Sequence, residues 1–151
     1  MQSFSIHEPN IKDFMQHLFA HDTFVNLEVR GVVVHSFTYF EISGQQQDET
    51  FCTWNELRPY VRNIIKGDKK PRAMKIIFAQ GNPESLHPNA ATLFINFLYE
   101  TSDTEGDKIT LTTACSQKSF ELSKAVDQEW DRWVTSFLKE NGILFSLLQQ
   151  P

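Results

Sequence analysis

Apolar and polar residues change period several times along this chain, and each change marks an element. Ile11, Phe14, Met15, Leu18 and Phe19 recur at helical spacing behind Asn10 as a cap, with Asp13 in the first turn, so a helix is predicted up to Asp22-Thr23. Residues 24–30 then alternate Val25, Leu27 and Val29 against Asn26, Glu28 and Arg30, and residues 32–42 form a β-branched and aromatic run. Gly31 between them predicts either a tight hairpin or a bulge within one bent strand. Residues 44–50, with three glutamines, read as an exposed loop.

Thr53-Trp54-Asn55-Glu56 has the form of a capping box, in which hydroxyl and carboxylate satisfy orphan backbone donors reciprocally. A second helix is predicted from there to Lys66, with Gly67 as its cap and a kink or restart at Pro59, which lacks the amide that would bond to Asn55. Residues 73–80 alternate again, placing Met74, Ile76 and Phe78 on one face. Residues 81–91 hold two prolines and read as a loop. Strands are predicted at 93–100, at 109–115 after an acidic turn at 101–107, and at 119–122. Ser123 can cap a last helix bearing Val126, Trp130, Trp133, Val134, Phe137 and Leu138. Asn141-Gly142 ends it, and Ile143 makes the apolar contact of a Schellman turn.

These elements predict an α+β fold: one antiparallel sheet of about six strands with three helices, in the order α-β-β-α-β-β-β-β-α, the last helix packing its two tryptophans on the sheet. With 151 residues and no linker or repeat, a single domain over 1–151 is expected. The tail 143–151 is too apolar to float and is expected to dock on the core or on a second subunit. A hydrophobic content of 40% argues against disorder, and thirteen Phe suit a sheet packed with aromatic rings. No apolar run approaches the roughly 20 residues of a membrane span. The N-terminus lacks the basic and apolar regions of a signal peptide, so a cytoplasmic location is expected. Cys52 and Cys115, without a CxxC or paired histidines, read as a reduced pair.

Charge changes the picture at one place. Lys and Arg number 14 against 19 Asp and Glu, a net charge of −5, yet Arg58, Arg62, Lys66, Lys69, Lys70, Arg72 and Lys75 put half of the positive charge into one stretch that holds a single acid, Asp68. That stretch carries a formal +6 and the remainder −11. Arg58, Arg62 and Lys66 are spaced i, i+4, i+8 and predict a basic stripe on the second helix, a place to hold an anionic partner. The stripe suits phosphates, with Tyr60 or Trp54 stacking on a base, but an acidic chain with no RRM or KH signature makes nucleic acid the weaker reading. The plainer account is a solvated helix face paired with acids elsewhere.

Other chemistry is thinner. Asp13, His17 and His21 lie at i, i+4, i+8 and suggest Zn²⁺ or Ni²⁺, but no further ligand is indicated, and an acid and a histidine at opposite ends of a helix also complement its dipole. Cys52 sits beside a helix N-terminus, a place where a thiol can be activated, without a readable base; a small buried residue is the commoner case. Asp103, Glu105 and Asp107 do not have EF-hand spacing. No P-loop, Rossmann, nucleophile-elbow or HExxH string occurs, so no catalytic residue and no cofactor is assigned, and an enzyme is the minority reading.

The strings Thr53-Trp54-Asn55-Glu56-Leu57-Arg58-Pro59, Ile64-Ile65-Lys66-Gly67 and Lys70-Pro71 stand out, as do Thr112, Thr113 and Ser116 paired with Phe120 and a helix bearing Trp130, Phe137, Leu138 and Asn141-Gly142-Ile143. Over nearly the whole chain they resemble a small uncharacterised family of gut clostridia (Lachnospiraceae), of the domain-of-unknown-function kind. The matching residues make turns, caps and core, so the resemblance implies a fold and brings no active site. The connection 81–91 is shorter than in that family. The function expected from all this is a non-enzymatic interaction or scaffold domain of the bacterial cytosol, in homo-oligomeric form or alone, whose face around 58–75 holds an acidic protein partner. Nucleic-acid or phosphate-ligand binding there, and metal-dependent activity at His17 and His21, are the alternatives.

Overall fold

Alternation at period two produces a sheet with one dry face. In the computed structural model, which describes residues 1–65 and 70–148, the order is β1 (Ser3–His7), α1 (Ile11–Phe19), β2 (Glu28–His35), β3 (Tyr39–Ser43), α2 (Trp54–Ile65), β4 (Ala73–Ala79), a 3₁₀ turn (Pro83–Ser85), β5 (Ala90–Glu100), β6 (Lys108–Gln117), α3 (Ala125–Glu140) and β7 (Ser146–Leu148). Among the described residues the fold is α+β, with three helices and a single open antiparallel sheet of seven strands, ordered β3-β2-β4-β5-β6-β1-β7. The matched registers Met74↔Tyr99, Ile76↔Phe97 and Phe78↔Ile95 keep the buried residues of β4 and β5 on one face.

The helices cover that face. Phe14 of α1 stacks on Phe97 of β5 with ring centroids 5.6 Å apart, Trp54 of α2 meets Phe78 of β4 edge-on at 5.7 Å, and Trp130 of α3 donates to the Phe94 carbonyl at 2.9 Å. Phe24 joins Phe14, Phe78 and Phe137 into one aromatic cluster. The opposite face carries Val33, Lys75, Ile77, Asn96, Leu98, Thr110 and Thr112, which are half-buried or exposed. Among the described residues, no helix is long and apolar enough to cross a membrane.

Several predicted elements changed. The chain opens on a strand: Ser3–His7 pairs with both β6 and β7 and buries Phe4 and Ile6, each contributing roughly 1.5–3 kcal/mol. Five residues give only a short alternation, and the partners that hold it lie more than a hundred residues on. At Gly31 the bulge is the alternative that holds, the register shifting between Val29 and Gly31, and the hairpin turns at Ser36–Thr38, where the Ser36 N–H donates to the Thr38 carbonyl. Phe24 starts a turn rather than a strand, its carbonyl accepting from Leu27 N–H. Residues 119–122 form no strand, and Phe120 and Leu122 are exposed. Ser146–Leu148 of the tail form the edge strand β7, and 149–151 lie outside the described residues.

The start of α2 and the end of α3 follow the local chemistry closely. Thr53 N–H donates to Glu56 Oε1 at 3.0 Å while the Thr53 hydroxyl accepts from Glu56 N–H at 3.3 Å, the two halves of the capping box. Pro59 sits inside α2 without ending it; Asn55, whose carbonyl loses its partner, is exposed to water. Ile143 N–H reaches the Leu138 carbonyl and Gly142 N–H the Lys139 carbonyl, with Gly142 at φ +71°, a Schellman ending. At the starts of α1 and α3 the capping differs: Asn10 makes no side-chain cap bond, and Lys124, not Ser123, occupies the cap position of α3, though the Ser123 hydroxyl accepts from Ala125 N–H. Lys66 and Gly67, the expected end of α2, lie outside the described residues.

Candidate functional site

The apolar stripe of α1 does two jobs. Phe14 and Leu18 face the sheet, whereas Ile11, Met15 and Phe19, spaced i, i+4, i+8, wall a cavity of about 590 Å³. Ile65 at the end of α2, Pro71 and Met74 complete its apolar lining, and Glu8 and Pro9 close it at the turn between β1 and α1. The polar lining comes from Glu8, Lys12, Lys70, Tyr99 and Asp107.

Three of those residues are bonded together. Tyr99, the last buried residue of β5, donates its phenol proton to Asp107 Oδ2 at 2.9 Å, and Lys70 Nζ donates to the same oxygen at 3.1 Å. Asp107 directly precedes β6, and the turn 101–106 folds it back over Tyr99. Lys70 arrives because Arg72 is clamped at the start of β4: its N–H reaches the His35 carbonyl and its carbonyl accepts from Thr101 N–H. Burial alone would raise the Asp107 carboxyl, but hydrogen bonds from Lys70 and Tyr99 and the lysine charge together hold it below its ordinary value. Burial first, then the bond to Asp107 and the charges of Asp107 and Glu8, push the Tyr99 phenol above its ordinary value. The phenol therefore stays protonated and the carboxylate ionised across the neutral range.

The basic stretch is divided by the fold. Arg58 is largely buried and donates Nη1 to the His21 carbonyl at 2.6 Å, with Asp22 3.8 Å from Nη2, so it staples the loop after α1 to α2. Lys70 holds Asp107. Arg62 and Arg72 are exposed and enter no ion pair with a described residue. Lys75 alternates with buried Met74 and Ile76 and so lies on the open face of the sheet, away from α2. Lys66 and Lys69 lie outside the described residues. Trp54 is buried with its indole N–H on the Leu18 carbonyl at 2.7 Å, which removes it as a stacking platform; Tyr60 remains exposed.

The histidine face has other partners. His17 shares a 2.7 Å hydrogen bond between Nδ1 and the Thr23 hydroxyl and lies 3.6 Å from Asp13 through Nε2, while His21 falls beyond the helix end, its ring 5.3 Å from that of His17. Among the described residues no group of three or more His, Cys, Asp or Glu is arranged to hold a metal ion. Cys52 is half-buried and accepts from Gln46 Nε2 at 3.4 Å; Cys115 donates its thiol to Asp127 at 3.1 Å.

Sequence reading missed Glu8, Tyr99 and Asp107. One signal was available: Tyr99 is the only residue of the inward set Leu93, Ile95, Phe97, Tyr99 with a polar atom, and a buried phenol needs a partner. Its partner was hidden in a turn that reads as solvated acid.

Residues 12–146 match the model of a family of unknown function, DUF5721. No curated protein and no solved structure matches the chain.

Proposed function

The chain belongs to DUF5721, a family of unknown function, and we propose from its geometry that it is a non-enzymatic binding domain holding a small ligand with an apolar body in the cavity between α1, the end of α2 and the β5–β6 hairpin. The observation that carries this is a cavity of about 590 Å³ walled by Met15, Phe19, Ile65 and Met74, with one bonded polar cluster, Tyr99–Asp107–Lys70, on its lining. Its size lies within the roughly 300–1,000 Å³ of ligand pockets, and apolar walls with a few convergent polar groups are their usual chemistry. A general acid or base works with a pKa near the operating pH. Tyr99 and Asp107 are shifted in the opposite directions, away from neutrality, which favours binding over proton transfer.

Met15→Trp tests the reading by filling the cavity from a half-buried position. The variant should keep its far-ultraviolet circular dichroism and lose binding of the neutral apolar fluorophore N-phenylnaphthylamine. A folded Met15→Trp protein that binds the fluorophore as the parent does refutes it.

A second reading rests on Arg62 and Arg72, exposed and without ion pairs among the described residues. In it, this surface holds an acidic protein partner, and the net charge of −5 disfavours nucleic acid. Reversing both to Glu should abolish co-purification with such a partner; unchanged co-purification disposes of this reading.

A further inference from the structure

Resting on the cavity reading above, we infer that the occupant is an organic amine: an apolar body ending in a protonated nitrogen that takes the place of Lys70 on Asp107. The argument begins with where the protons already are. Tyr99 has one hydroxyl proton and spends it on Asp107 Oδ2, so its oxygen can offer only lone pairs to anything else. Lys70 also donates to Oδ2, and no described group donates to Oδ1. Glu8 adds a further carboxylate to the lining and enters no ion pair with a described residue. The lining thus holds three acceptor residues, Tyr99, Asp107 and the exposed Glu8, and the complementary head is rich in donors. A primary ammonium brings three.

The two lysines of the lining do not reverse this preference. The Lys70 side chain is 73% exposed against 13% for Asp107, so the carboxylate is fixed in the wall while the ammonium reaches in from water. Lys12 is exposed as well. Flexible lysines can swing their charged ends back to solvent, and an exposed ion pair is weakly held. The Asp107 carboxylate is held in the wall on a short turn, and an anionic head beside it would meet like charge in a partly dry site. Lys70 is itself an alkyl chain ending in an ammonium, seated on Asp107. It occupies the position of the ligand's head as a tethered stand-in.

Octylamine, octanol and octanoate share one apolar chain and differ in the head, so titration calorimetry of all three at pH 7 and fixed ionic strength separates the possibilities. Octylamine should bind about tenfold or more tightly than octanol, the value of one charge-assisted hydrogen bond. Asp107→Asn should erase that advantage, bringing octylamine to the affinity of octanol in the same variant. Lys70→Met, which removes the tethered competitor, should strengthen octylamine binding severalfold. Equal affinity for amine and alcohol, or tightest binding of octanoate, overturns the inference and leaves the apolar cavity standing. Binding of none of the three overturns both. Should Asp107→Asn fail to fold by circular dichroism, Lys70→Met decides: octylamine affinity unchanged or reduced in that variant overturns the inference.

Discussion

Tyr99→Phe deletes one oxygen from a side chain that is 3% exposed and keeps the ring in place. The lost bond is to an ionised acceptor, Asp107 Oδ2 at 2.9 Å, and bonds of that kind contribute about 1.5–3 kcal/mol. The competing support, Lys70, reaches the same oxygen at 3.1 Å from a largely exposed position, where an ion pair contributes about 0–1 kcal/mol. The phenol therefore outweighs the ammonium: Tyr99→Phe should cost about 2 kcal/mol at pH 7 and Lys70→Met less than about 1 kcal/mol. The sign of the pH dependence follows from the depressed carboxyl of Asp107. A carboxylate whose folded pKa lies below its unfolded value contributes fully above that unfolded value, about 3.9, and loses the contribution as pH falls through the folded one. The gap between parent and Tyr99→Phe should be constant near neutrality and close below about pH 4. At the alkaline end the raised phenol acts in the other sense. Its contribution is complete below the unfolded value of about 10 and is lost as pH rises beyond it. Urea unfolding of the parent, Tyr99→Phe, Asp107→Asn and the double variant, stepped from neutral pH down to about 2.5, measures both the gap and the coupling. A gap that does not change with pH, or a Lys70→Met cost larger than that of Tyr99→Phe, refutes the reasoning.

Gly44→Ala should be among the costliest small substitutions in the chain. A Cβ there would lie 1.7 Å from the Val29 carbonyl oxygen, and the backbone that must move carries Gly44 N–H to the Arg30 carbonyl and Cys52 N–H to the Gly44 carbonyl. Two such bonds at about 1 kcal/mol each, with about 1–3 kcal/mol for overpacking, predict a loss of 3 kcal/mol or more in urea unfolding, and a loss under about 1 kcal/mol counts against it. Cys115 should resist alkylation: burial, then the bond to Asp127, pushes its thiol up to about 12. At pH 8 its thiolate fraction is then on the order of a thousandfold below that of an ordinary cysteine. Iodoacetamide labelling followed by mass spectrometry checks this, and labelling at the rate of a peptide cysteine would contradict it.

The residues that reading along the chain placed well share one property: their partners are close in sequence. Thr53 and Glu56 cap each other across three residues, Ile143 returns to Leu138 across five, and Met74, Ile76 and Phe78 alternate because a pleat alternates. Gly44 shows the limit even for a loop residue. It reads as part of an exposed glutamine-rich turn, yet it is buried, because the Val29–Arg30 backbone closes on it and Cys52 N–H bonds its carbonyl.

By itself the sequence determined the α+β class, the three helices with the capping box that opens α2 and the Schellman turn that closes α3, and which face of each long strand turns inward, since periods of 2 and 3.6 are properties of a single segment. Only the tertiary structure decided what distant segments do to one another. Arg58 and Lys70 belong to one run of positive charge in sequence, but each finds its partner 37 residues away, one in the loop after α1 and the other beside Tyr99. β1 and β7 are too short to hold alone and are held by pairing across the whole chain length. The cavity exists for the same reason. Its walls come from α1, α2, β4 and β5, and the polar cluster on its lining forms because a phenol buried at the end of one strand needs an acceptor, which the next hairpin turn brings to it.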